Sequence, residues 1–177
     1  MDNQNLKYPV GEFNKPKTWP NEERTLWIEI IASFPEALES LLENFTLEML
    51  NTPYRPEGWN GKQVVHHLAD SHMNAFIRFK IGMTEEPIPN IRPYREDLWA
   101  NHVDNNADDL TDSLSILRGL HHRWALFLKS LKEEDFDLIV AHPEYNQHYC
   151  LGQLLSMYAW HCEHHLAHLK LILNSAK

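Results

Sequence analysis

Along residues 21–45 the apolar side chains Leu26, Trp27, Ile30, Ile31, Phe34, Leu38, Leu41, Leu42 and Phe45 return at steps of three and four, which sets them along one side of a helix. Pro35 falls inside this run and predicts a kink. The pattern stops at Asn51-Thr52-Pro53-Tyr54-Arg55-Pro56-Glu57-Gly58. Asn60 followed three residues later by Gln63 then reads as a capping pair opening a second helix over 61–81. Its stripe is Val65, Leu68, Ala69, His72, Phe76 and Phe79. A third run (Leu110, Leu114, Leu117, His121, Trp124, Leu128, Leu131) and a fourth over 151–173 (Leu151, Leu155, Tyr158, Cys162, Leu166, Leu169, Leu173) complete the periodic segments. With almost no apolar alternation elsewhere, the expectation is an all-α four-helix bundle.

The segments between these runs have their own signals. Residues 1–20 hold Pro9, Pro16 and Pro20 among polar residues and predict an extended arm, with Tyr8, Phe13 and Trp19 available to pin it. Residues 85–108, with Pro87, Pro89 and Pro93, predict a long loop between the second and third helices. Long ordered loops in small domains are more often functional than decorative, and this one is a candidate lid or dimer contact.

The chain has 177 residues, enough for one domain over 1–177. Sixteen Lys and Arg against 25 Asp and Glu give a formal charge of −9, which repels phosphate backbones and anionic lipid. Nucleic acid and membrane are therefore excluded as partners. No apolar run approaches the length needed to span a bilayer. Two cysteines, Cys150 and Cys162, cannot build a disulfide framework, and Met1-Asp2-Asn3-Gln4-Asn5 lacks a basic then apolar signal pattern. The expected location is the reducing cytoplasm.

Twelve histidines change the picture. They concentrate in Val65-His66-His67-Leu68, with His72 beyond it, and in Trp160-His161-Cys162-Glu163-His164-His165, with His168 beyond it. Imidazole is the commonest metal ligand, and two such rings four apart on a helix share a face. His161 and His165 have that spacing on one flank of the fourth stripe, whereas His168 lies further round and His164 nearly opposite. On the second helix His72 sits at the centre of the stripe and His67 at its edge, so periodicity favours His72. A core histidine satisfied by a hydrogen bond explains His72 equally well, and half-buried surface rings are the structural alternative for the fourth helix. His66 is expected to face solvent, and His121 to pack in the core. His102, His142 and His148 receive no role. Glu163 is misplaced for a His-Glu-x-x-His zinc protease motif, and the Glu-x-x-His pairs of a di-iron bundle are absent. Cys162, on the stripe, reads as a core thiol.

Gln63-Val-Val-His-His-Leu-Ala-Asp-Ser-His-Met-Asn74, Ile77-Arg-Phe-Lys80, Ile91-Arg-Pro-Tyr94, the Tyr54-Arg55 and Gly58-Trp59 pairs, and Trp160-His161 through His165-Leu-Ala-His168 resemble the DinB/YfiT-like family, specifically its YfiT-type metal-dependent hydrolases. The likeness runs from Tyr8-Pro9 to the last helix. It implies a four-helix bundle, a homodimer, and one divalent ion per chain, zinc or nickel, on three histidines. Carried over by motif, these are His67, His161 and His165, so the resemblance takes His67 where periodicity favours His72. Cys162-Glu163 departs from the family's pattern at positions that carry no ligand.

Three imidazoles leave an ion an open position for water, and a bound divalent cation lowers that water's pKa toward ~7. The expected activity is hydrolysis of a small-molecule substrate. Relatives of the family that act as thiol S-transferases supply an alternative, in which a low-molecular-weight thiol occupies the same position. A non-catalytic metal- or ligand-binding bundle is a reading of another class. Asp70, His72, Tyr158 and Arg92 are candidates for acid–base or charge-stabilising roles without an assignment. Asp70, three residues from His67, can either orient that ring or lie solvated on the helix face.

Overall fold

The computed structural model describes residues 3–86 and 88–175. Met1 and Asp2 of the predicted arm, Pro87 of the predicted loop, and Ala176 and Lys177 lie outside the described residues. Among the described residues, seven α-helices run in the order α1 (Asn3–Lys7), α2 (Asn21–Leu42), α3 (Leu47–Leu50), α4 (Gly61–Thr84), α5 (Glu96–Trp99), α6 (Thr111–Ser130) and α7 (Leu151–Ser175). The four long ones form the bundle. Helix α2 packs against α6 and α7, and α4 packs against the same two. The order around the bundle is therefore α2, α6, α4, α7, with sequence neighbours α2 and α4 across one diagonal. No helix among the described residues is long and apolar enough to cross a membrane.

The buried face of α2 is Arg24, Ile28, Ile31, Phe34, Pro35 and Leu38. Leu26, counted among the core positions by periodicity, is instead 59% exposed. Helix α2 runs through Pro35 as one element. Because proline has no N–H, the carbonyl of Ile31 loses its helical donor. His121 Nδ1 of α6 lies 2.6 Å from that oxygen and takes the vacant place.

Helix α4 begins where the sequence predicts. The Asn60 side chain accepts from Gln63 N (2.9 Å), and Gln63 Oε1 accepts from Asn60 N (3.0 Å), so two of the end donors are satisfied reciprocally. The core between the helices is filled by Phe34, Phe79, Leu117, Trp124, Leu128 and Leu155, all fully buried.

Two connectors carry structure that the apolar pattern does not show. Between α6 and α7, strands β1 (Ile139–His142) and β2 (Gln147–Cys150) form an antiparallel hairpin with Val140 opposite Tyr149. Four-residue strands are too short for alternation to stand out. The loop between α4 and α6 docks on this hairpin: Ile91 N donates to Ala141 O and Ala141 N to Pro89 O, both at 2.9 Å. It is also tied to α4, where Gln63 Nε2 donates to Ala100 O (2.8 Å).

Asn3–Lys7 of the arm form the short helix α1, where the sequence predicts an extended arm without an element of its own; beyond α1 the arm is extended, and Trp19 pins it. Its indole Nε1 donates to Asp137 Oδ1 (3.0 Å) and its ring lies on Gly152 at the start of α7. A Cβ on Gly152 would come within 2.8 Å or less of three Trp19 ring atoms. Gly152→Ala is expected to lift the arm at a cost of about 1–3 kcal/mol, as overpacking does. Trypsin cleavage after Lys17 reads this directly, and an unchanged cleavage rate would show that Trp19 does not hold the arm.

Candidate metal centre

Helices α4 and α7 are neighbours in the bundle, and their facing turns bring three imidazoles together. His67 Nε2 is 3.3 Å from His161 Nε2, and His165 Nε2 is 3.2 Å from the same atom. One ring nitrogen from each of His67, His161 and His165 lies within 4.8 Å of the other two, close enough for one ion to reach all three. The Trp59 ring, just before the Asn60 cap, tilts onto His67 with centroids 4.6 Å apart and stacks on His165 at 6.4 Å. Helix capping and the aromatic wall thus fix the ring positions together.

Burial dominates the electrostatics. It lowers the pKa of His67 to about 3, with His164 and His168 adding to the effect, and pushes His161 and His165 well below the ordinary value. All three rings are neutral at pH 7, the form that offers a lone pair to a metal.

His72 does not join this cluster. It is fully buried one layer deeper, with Nε2 3.1 Å from His161 Nδ1 and Nδ1 2.8 Å from His121 Nε2. Periodicity put it correctly in the core, and its place there is behind one of the clustered rings. His121 is more than packing, since it bonds both His72 and the Ile31 carbonyl. His66 is buried rather than solvent-facing, because the loop and α6 cover it: its ring nitrogens meet Ser113 Oγ at 2.8 Å and Ala107 O at 3.0 Å. His164, on the side of α7 away from the apolar stripe, is buried as well. Tyr8 of the arm covers it with ring centroids 5.9 Å apart, and Trp160 of the same helix stacks on it at 4.4 Å. His164, His165 and His168 form a second close group.

Asp70 does not orient His67. Its Oδ2 accepts from Asn105 Nδ2 (3.0 Å), and burial raises its pKa. Arg92 has an exposed side chain and contributes its carbonyl to Arg78 Nη2 (3.0 Å). Tyr158 is buried one turn before His161, and its oxygen accepts from Arg78 Nη1 (2.8 Å), which leaves its own O–H free to donate. Cys162 is a buried core thiol with its pKa pushed well up by burial, and Glu163 is exposed.

Two adjoining clefts open on the cluster and share Glu96, Trp160 and His161. The first, about 370 Å³, is walled by the arm and the Tyr54–Trp59 turn; the second, about 350 Å³, reaches Arg78, Tyr94 and Tyr158. Glu96 escaped the sequence reading because α5 is one turn long in a loop without periodicity. Burial, and next Asp97, raise its carboxyl pKa. The place of Glu96 on the wall shared by both clefts is the signal that identifies it.

The sequence profile of the DinB superfamily matches residues 30–169. The relatives that the chain matches include several named "Putative metal-dependent hydrolase". YfiT of Bacillus subtilis is 41% identical over 169 residues, covering 96% of this chain and 94% of YfiT. A Bacillus licheniformis protein is 44% identical over 165 residues, covering 93% of each. The solved structure of the Bacillus subtilis protein, described as "a probable metal-dependent hydrolase with an unusual four-helix bundle topology", superposes with a TM-score of 0.94 at 40% identity and covers 97% of this chain and 98% of that one. The bundle and its diagonal connections are thus shared with YfiT, and the chain belongs to the DinB superfamily.

Proposed function

We propose that this protein is a metal-dependent hydrolase that holds one divalent ion, zinc or nickel, on His67, His161 and His165. The observation that carries the reading is the convergence of three neutral Nε2 atoms. His161 Nε2 lies 3.3 Å and 3.2 Å from its two neighbours, and three neutral imidazoles converging on one point can each offer it a lone pair. A cation is the partner that such a donor set fits. The names of the relatives agree with this.

An ion on three imidazoles supplies Lewis acidity and makes hydroxide accessible at neutral pH. The chain supplies the rest. The hydroxyl of Tyr158, held at its oxygen by Arg78, donates a hydrogen bond to charge developing on a substrate oxygen. Glu96, on the wall common to both clefts and with its pKa raised, takes up a proton during the reaction. Clefts of this size take a small molecule.

Metal content by inductively coupled plasma mass spectrometry on untagged protein tests the reading. The expected result is about one equivalent of metal per chain in wild type, lost in His67→Ala, His161→Ala and His165→Ala. Wild-type protein that binds neither zinc nor nickel would refute it. With metal bound, hydrolysis of ester and amide panels is expected to fall by about 100-fold in Tyr158→Phe, the range for one lost charge-stabilising donor.

A further inference from the structure

The partners of His161 and His165 can be followed ring by ring until each path stops at a backbone carbonyl. The first begins at Ile31 O, which Pro35 leaves without a helical donor. A carbonyl only accepts, so His121 Nδ1, 2.6 Å away, carries a hydrogen. In a neutral ring Nε2 of His121 is then an acceptor, and His72 Nδ1, at 2.8 Å, must donate to it. His72 Nε2 is consequently an acceptor, and His161 Nδ1, at 3.1 Å, donates. The hydrogen of His161 is thereby placed on Nδ1, and its Nε2 presents a lone pair to His67 and His165.

The second path begins at Lys7 O, at the end of α1, where helical carbonyls run out of donors. His168 Nε2 donates to it at 3.1 Å. His168 Nδ1 is then an acceptor for His165 Nδ1 at 3.3 Å, and His165 Nε2 is left as a lone pair aimed at the same point. Stacking of Tyr54 on His168, with centroids 3.8 Å apart, keeps that ring in place. Because His168 Nδ1 already serves His165, this path also disfavours a second ion among His164, His165 and His168.

We propose that His72, His121 and His168 are positioning residues that lock His161 and His165 in the Nδ1–H tautomer, through two hydrogen-bonded paths anchored on the Ile31 and Lys7 carbonyls, so that both Nε2 lone pairs face the metal position before any ion arrives. The proposal rests on the three-histidine reading above and extends it to what surrounds the ligands. Metal-bound histidines commonly donate the other ring N–H to a carboxylate or carbonyl. Here neutral rings intervene, so the support adds no negative charge and leaves the ion's full charge for the open position. Neither path is a proton wire, since a carbonyl at its end has no proton to pass on.

The test is a long-range ¹H–¹⁵N spectrum of protein labelled at histidine, recorded without metal and with zinc, paired with zinc affinity by competition against a chelator dye. In metal-free wild type, His161 and His165 are expected to show a protonated Nδ1 and a pyridine-like Nε2. His72→Phe removes the acceptor from His161 and is expected to populate its Nε2–H form and weaken zinc binding by about 10–100-fold. His72→Gln, whose amide oxygen can stand near the former Nε2, is expected to restore both. The second path offers His168→Leu and its rescue His168→Asn, which keeps the proposal testable if His72→Phe does not fold. An Nε2–H tautomer on His161 or His165 in metal-free wild type would overturn the lock, and so would unchanged tautomers and affinity in both disrupting variants. Correct tautomers in a protein that binds no ion would overturn the three-histidine reading and the purpose assigned to the lock, a different pattern from failure of the lock alone.

Discussion

On acidification the metal-free protein is expected to lose stability from about pH 6.5 downward and to unfold with uptake of more than one proton. Burial lowers His67 and His164 to about 3 and His121 and His168 to about 4. Each folded-state value lies below the unfolded value of 6.5. As pH falls, the unfolded chain therefore binds protons first, and the stability these neutral rings contribute is complete above pH 6.5 and drains away toward pH 3–4. Each such group removes about 1.4 kcal/mol per pH unit over that window. By pH 4, His67 and His121 alone account for roughly 3 kcal/mol each, against a total stability that for most domains is about 5–15 kcal/mol. Circular dichroism against pH, with the proton count taken from the slope of unfolding free energy, measures this. Saturating zinc is expected to move the acid midpoint downward, because an ion on the rings competes with protons for them. A transition with its midpoint near pH 3 and a single proton would show that the histidine layer is far better hydrated than its burial indicates.

Trp124→Ala is expected to cost about 3–5 kcal/mol, the range for deleting a large buried aromatic ring. Trp124 is fully buried, and four rings surround it: Tyr158 at 5.6 Å, Phe79 and His121 at 5.7 Å, and His72 at 6.0 Å. The truncation opens a cavity next to the His72–His121 pair, so zinc affinity is expected to fall along with stability. Trp124→Phe keeps an aromatic ring in place. The indole N–H has no hydrogen-bond partner, so phenylalanine gives up no bond and leaves only a smaller cavity, with an expected loss of stability between wild type and Trp124→Ala. Urea titration of the three proteins decides the matter, and a loss below 1 kcal/mol in Trp124→Ala would mean that the bundle closes around the missing ring.

The long helices were legible because each has a face that meets only other helices, so burial repeats with the helical period. The cap of α4 was legible because Asn60 and Gln63 satisfy local donors. What sits under the connectors was not. His66 and His164 read as outward because they are outward from the bundle axis; the loop after α4 and the arm cover them, and neither covering has a period to announce itself. His72 illustrates the same limit from the inside. Periodicity shows that a ring is central, and only the packing of α4 against both α6 and α7 shows that it stands between His121 and His161. The choice of His67 over His72 came from the resemblance. Pro35 was read as a kink, while the missing hydrogen bond it leaves behind becomes an anchor for another helix.

The order of the helices around the bundle also bears on how the protein acquires its site. His67 and His161 are separated by 94 positions, and the two helices that carry them do not form a local hairpin. No early fragment of the growing chain contains the cluster, and closing so long a loop precedes any reward from the contacts it makes. Folding is thus expected to be limited by the docking of α7 onto the other three helices. An ion can be captured at full strength only after that event, so metal acquisition reports completion of the fold.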